Sequence, residues 1–256
     1  MKPSVRKAAP LAVRSAIAAS LIALLGAGAA LAYIPSAASL LRRAAARVSE
    51  GGRSKEATLT GTLTVGGQLR QATLKLRFPL GCVLESGGVS ASAARSRDGA
   101  TMQMIDNGLG PDALDLLRFA CPLVAYRGQT PAQAEQSLRS FLSSVGVAPP
   151  FAPTSLARLY DRVAIVLGAS ARQLDRPQLW LYKDNGAPAR LLALSNGTLD
   201  DLRLLQYGNP AAADWLPRMV ELWRGPALRA RFEALESRGL NDADDIDDTG
   251  SDDPRE

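Results

Sequence analysis

The side chains that usually carry enzymatic chemistry are sparse here, and their absence narrows the possibilities. Among 256 residues there is no histidine. That removes Ser-His-Asp triads, Cys-His dyads and His-ligated metal centres. It also removes the one side chain that titrates unperturbed near neutral pH. Carboxylate or lysine chemistry stays open. Asp200 and Asp201 stand as an acid pair beside a turn, where a solvated turn is a simpler reading than an acid–base couple. The run Asp242 to Asp248 superficially resembles an acidic calcium loop. It lacks a full set of spaced ligands and a closing bidentate glutamate. The expectation is a non-catalytic protein with no metal and no cofactor.

The two cysteines, Cys82 and Cys121, are the other reactive groups. They form one disulfide in an oxidising compartment or stay as two buried thiols. The N-terminus points to the first. Lys2, Arg6, Lys7 and Arg14 precede an apolar stretch, Ala16 to Ala29, and then Ala30-Leu31-Ala32. This order reads as a secretory signal over residues 1–32, cleaved after Ala32. The alternative is an uncleaved inner-membrane anchor, because the uncharged run from Ser15 to Leu41 is long enough to span a bilayer. No cysteine near the cleavage site suggests lipidation.

Charge is unevenly spread. The net charge is +5, yet the signal holds four basic residues and no acid, while residues 241–256 hold eight acids and one arginine. A mildly basic body, residues 33–240, is therefore followed by an acidic tail expected to be disordered. The basic residues of the body are scattered, unlike the clustered stripe of a nucleic-acid binder, so nucleic acid is not an expected partner.

The elements that must position any site follow from periodicity. Leu40, Leu41, Ala44 and Val48 recur at helical spacing behind Ser36 as N-cap, and Gly51-Gly52 ends that helix. Ala57, Leu59, Gly61, Leu63 and Val65 then alternate with threonines, and Ala72, Leu74, Leu76 and Phe78 with polar residues, around Gly66-Gly67. This predicts an antiparallel hairpin with one apolar face. A short strand follows near Cys82. Residues 87–110 carry little signal beyond weak strands around Arg97-Asp98-Gly99. Two helices follow, one after Pro111 and one opened by a capping box at Thr130 and Gln133. Strands return from Ser155 and turn at Asn185-Gly186, Asn196-Gly197 and Gly225-Pro226. In the last strand Leu228, Ala230, Phe232 and Ala234 alternate with Arg229, Arg231 and Glu233.

The expected fold class is α+β: one large curled antiparallel sheet of about eleven strands, an incomplete β-barrel, with about three helices covering its concave face. Leu59, Leu63, Leu74, Leu76, Phe78, Ile165, Leu179 and Leu181 then line a hydrophobic cavity or fill a core. Alternation alone does not separate the two. Trp180, Tyr182, Trp215 and Trp223 could contact a ligand there or serve as packing.

The chain resembles the LolA/LolB-like superfamily of periplasmic lipoprotein carriers. The likeness is carried by a signal followed directly by an amphipathic helix, and by the hairpin leading into Arg77-Phe78-Pro79. In the second half it is carried by Ile165-Val166-Leu167-Gly168, Leu179-Trp180-Leu181-Tyr182-Lys183, Pro188-Ala189-Arg190-Leu191, Leu204-Leu205-Gln206-Tyr207 and Trp215-Leu216-Pro217. The resemblance implies helices as a lid over a hydrophobic cavity and a non-catalytic carrier or sensor of lipidated or amphiphilic molecules. Implied partners are a lipid or acylated protein and transient membrane or envelope-protein contacts, for a monomer in the periplasm. An envelope structural or interaction protein with a solidly packed sheet is the alternative.

Overall fold

In the computed structural model, residues 35–49, 56–78, 81–95, 102–125, 130–208 and 216–238 are described. The signal segment, the Arg97-Asp98-Gly99 turn, Trp215 and the acidic tail lie outside them.

Threonine–leucine alternation becomes β1 (Glu56–Val65), which pairs with β2 (Gln68–Arg77) across Gly66-Gly67. Both glycines have positive φ, the conformation this tight turn demands. β3 (Gly81–Ser86), β4 (Val89–Arg95) and β5 (Met102–Asn107) extend the meander. The second half supplies β6 (Pro153–Leu159), β7 (Arg162–Gly168), β8 (Gln178–Tyr182) and β9 (Pro188–Ser195), then β10 (Thr198–Tyr207), β11 (Pro217–Arg224) and β12 (Ala227–Arg238). All twelve form one antiparallel sheet in the order β5-β4-β3-β2-β1-β12-β11-β10-β9-β8-β7-β6. The sheet is open, with β5 and β6 as its edges, and β1–β12 is the ladder that joins its two halves.

Among the described residues, three helices accompany the sheet: α1 (Ala37–Ser49), α2 (Pro111–Val124) and α3 (Pro131–Ser144). The expected caps are present. Ser36 Oγ accepts from the Ser39 amide at 3.2 Å. Thr130 and Gln133 complete a reciprocal capping box. The start of α2 is held differently: Asp106 accepts from the amides of Leu109 and Gly110 at 2.8 and 3.0 Å.

The curl of the sheet follows from what α2 touches. It packs against β3, β4 and β5 and also against β9 to β12. In a flat sheet, β4 and β9 would lie seven strand spacings apart, about 34 Å. A helix of 14 residues is only about 21 Å long. The halves must therefore fold toward each other around it.

α1 and α3 pack on one another and close the same interior with Leu40, Leu41, Leu138 and Leu142, all nearly fully buried. Each such leucine contributes roughly 1.5–3 kcal/mol of burial. Leu40 and Leu41 thus belong to this domain rather than to a membrane span. No helix among the described residues is long and apolar enough to cross a membrane. Glu135 ties the pair together, accepting from Arg139 at 2.9 Å and from Arg42 at 3.3 Å. Burial opposes ionisation of Glu135, but these two guanidinium bonds outweigh it and hold its pKa below the usual value. A depressed folded-state pKa stabilises above the unfolded value and is lost as pH falls through the folded one. Glu135→Gln should therefore cost about 1 kcal/mol at neutral pH, with the deficit shrinking in acid. Urea unfolding at neutral and acidic pH would reveal this, and an equal deficit at both would refute it.

Candidate functional site

The predicted wall residues meet in one place. Leu59 and Leu63 of β1, Leu74 and Leu76 of β2, Ile165 of β7, and Leu179 and Leu181 of β8 are buried in a single apolar cluster. Phe78, just past β2, is half-buried against it. Leu116, Leu117, Phe119 and Leu123 of α2 belong to the same cluster and are no more than 2% exposed. The concave face is thus an apolar trough drawn from both halves of the sheet, and α2 lies in it.

α2 is fastened near both ends, to opposite halves of the sheet. Near its C-terminus Cys121 is disulfide-bonded to Cys82 of β3, and both cysteines are buried. Toward its N-terminus Asp112 accepts from Arg229 of β12 at 2.9 Å. Asp115 lies 3.6 Å from Arg224 of β11 and 3.3 Å from Arg118, its neighbour on the helix. Arg118 also reaches Ser195 of β9 at 3.3 Å. Behind them Asp200 of β10, with no exposed surface, accepts from Arg224 at 2.7 Å.

The electrostatics of this rim are uneven. The Asp200 hydrogen bond raises the pKa of Arg224 further, fixing its charge. Asp115 goes the other way: burial first, and then the nearby Asp200 and Asp112 carboxylates, push its pKa up against the pull of Arg118 and Arg224. Its charged form is therefore less favoured than that of a carboxylate in water.

Two sequence readings change here. Asp200 and Asp201 are not a solvated turn: both sit inside β10, on opposite faces. Asp200 points into the rim, and Asp201 bridges Arg190 and Arg203 on the outer face at 2.7 and 2.9 Å. Arg229 does not follow the alternation that keeps Arg231 on the outer face. The register slips so that Leu222 opposes Ala230 while Trp223 opposes Leu228, leaving Arg229 as the extra residue of a β-bulge. Such a bulge re-aims a side chain, here toward Asp112 on the helix.

The described aromatic candidates, Trp180, Tyr182 and Trp223, face away from the trough. Trp180 and Tyr182 form a second buried cluster on the opposite face with Val166, Leu205 and Met219. Arginines stack over these rings: Arg162 on Tyr182 at 3.8 Å, Arg190 on Trp180 at 5.2 Å and Arg203 on Trp223 at 4.9 Å. They are packing groups rather than trough residues. A mainly polar hollow of about 440 Å³, bordered by Thr60, Gln71, Thr73 and Glu85, involves none of the predicted wall residues. Among the described residues, no three acidic or cysteine side chains cluster as a metal site would require.

Sequence reasoning singled out residues that share one apolar cluster and the two cysteines that are bonded. It missed Asp112, Asp115, Arg224 and Arg229, because nothing local distinguishes them from surface charges.

Solved structures that align with this chain do so at low identity and with TM-scores below 0.5. A LolA superfamily protein from Nitrosomonas europaea matches at 11% identity and a TM-score of 0.45, over 80% of this chain and 94% of that one. A candidate outer membrane lipoprotein-sorting protein domain from Vibrio parahaemolyticus matches at 10% identity and a TM-score of 0.45, over 81% and 94%. A DUF1329 family protein from Desulfovibrio piger matches at 10% identity and a TM-score of 0.44, over 82% and 96%. No protein-family model and no curated protein matches the sequence.

Proposed function

We propose that this is an exported, non-catalytic carrier or sensor that binds a lipidated or amphiphilic molecule in the trough of its sheet. The observation that carries the reading is α2 itself. It is a single helix filling an apolar concavity built from both halves of an open sheet, while α1 and α3 pack chiefly on each other. An acyl chain is the ligand whose chemistry matches Leu59, Leu63, Leu74, Leu76, Phe78, Ile165, Leu179 and Leu181. The signal segment and the disulfide support an extracytoplasmic site such as the periplasm, with delivery to or from a membrane or an envelope protein.

A second reading has its own support. The wall residues other than Phe78 are so well buried that the trough serves equally as a solid core. In that case the protein is a structural or interaction component of the envelope.

Lipid extraction and native mass spectrometry on protein purified from its export compartment separate the two. Co-purifying acyl species, displaced stoichiometrically by a fatty-acyl probe, are expected for a carrier. Apo protein that also refuses the probe would leave the solid-core reading.

A further inference from the structure

An amphiphile has an apolar body and a polar head, and α2 presents both. Leu116, Leu117, Phe119 and Leu123 occupy the trough, while Asp112 and Asp115 bring carboxylates to its rim. We propose that α2 is a built-in surrogate for an anionic amphiphile, and that Arg229 and Arg224 form the headgroup site for a carboxylate or phosphate once the helix lifts. This rests on the trough being an acyl site, and adds the headgroup chemistry and the residues that select it.

Three observations support the assignment. The ion pair of Arg229 is with Asp112, a helix residue, so displacing α2 leaves a cation at the mouth of an apolar space. The bulge that aims Arg229 there interrupts the β11–β12 ladder and re-aims this side chain. Arg224 differs, because Asp200 belongs to the sheet and remains when the helix leaves. Asp200 is therefore a positioning residue: fully buried, it fixes the guanidinium at the rim while further donors stay available. Guanidinium groups match carboxylate and phosphate oxygens with paired, charge-assisted hydrogen bonds.

The fastenings also decide how the helix moves. The disulfide holds the Cys121 end to β3, so the N-terminal end lifts. Gly108 and Gly110, both with positive φ, precede that end, and the Asp106 bonds to the Leu109 and Gly110 amides would have to open for it to lift. Asp115 makes the longer of the two ion pairs between helix and strands, 3.6 Å against 2.9 Å for Asp112.

The test compares an anionic probe, 11-(dansylamino)undecanoic acid, with its neutral methyl ester on the oxidised protein. Wild type is expected to bind the acid at least tenfold more tightly. Arg229→Gln should bring that ratio close to one while the ester still binds. Arg224→Gln should act likewise, with circular dichroism checking its fold. Asp112→Asn with Asp115→Asn should tighten both probes and keep the ratio, because it loosens only the surrogate. Competition by oleate against lysophosphatidic acid tells carboxylate from phosphate heads. An acid-to-ester ratio unchanged in Arg229→Gln overturns the headgroup site and leaves the acyl trough standing. Failure of both probes to bind the Asp112→Asn/Asp115→Asn protein overturns both.

Discussion

Replacing Cys82 and Cys121 together by alanine should lower stability by about 4 kcal/mol. The two residues are 39 apart in sequence, so the bond closes a long loop in the unfolded chain. The loop contains β4, β5 and most of α2. The cost therefore falls on folding as a whole and on the seating of α2 in particular. With a urea m-value of about 2–3 kcal/mol per molar, the midpoint should drop by about 1.3–2 M. The oxidised wild type with and without reductant should show the same difference. A midpoint that does not move would mean that packing alone seats α2, and that the pivot assigned to Cys121 is wrong. Hydrogen exchange adds a local reading. Amides of α2 should lose protection in the double variant well before those of β10 and β11.

Gly61→Ala should be comparably severe, at about 3 kcal/mol or more, although it adds a single methyl group. A Cβ at this position would lie 1.9 Å from the Glu233 carbonyl oxygen, which is backbone and cannot rotate away. The contact arises because the β1–β12 register shifts between Thr60 and Gly61, bringing β12 close. This ladder connects the two halves of the sheet, so relieving the clash means parting them. Gly66→Ala is the control. Gly66 has φ of 57° and open space around it, so the cost there is only about 1 kcal/mol of backbone strain. Thermal unfolding of the two variants should rank them clearly, with Gly61→Ala far below Gly66→Ala. Similar melting temperatures would show that the close approach at Gly61 relaxes without consequence.

Most of the architecture was legible because it is written in short-range periodicity. The Leu59–Leu63 and Leu74–Leu76 alternation fixes which face of the hairpin is buried. The Thr130–Gln133 box fixes where α3 begins, and Asn196-Gly197 supplies the positive φ values its turn needs. β4 and β5 were hard to see. Val89–Arg95 is rich in serine and alanine, and β5 is an edge strand whose residues are mostly exposed or half-exposed. Such strands take their conformation from the neighbour they pair with, not from their own side chains.

The candidate site divides along the same line. Sequence by itself determined the apolar wall, the cysteine pair and the absence of histidine chemistry, because each depends on residue type or on spacing within one element. Only the tertiary structure decided that α2 occupies the trough, that Asp200 is buried beside Arg224, and that Arg229 abandons the face its strand would assign it. These depend on how a sheet closes over a helix and on a one-residue slip between β11 and β12. A charged residue reads the same in sequence on a solvated turn or in a buried ion pair, and only the partner brought to it by the fold tells the two apart.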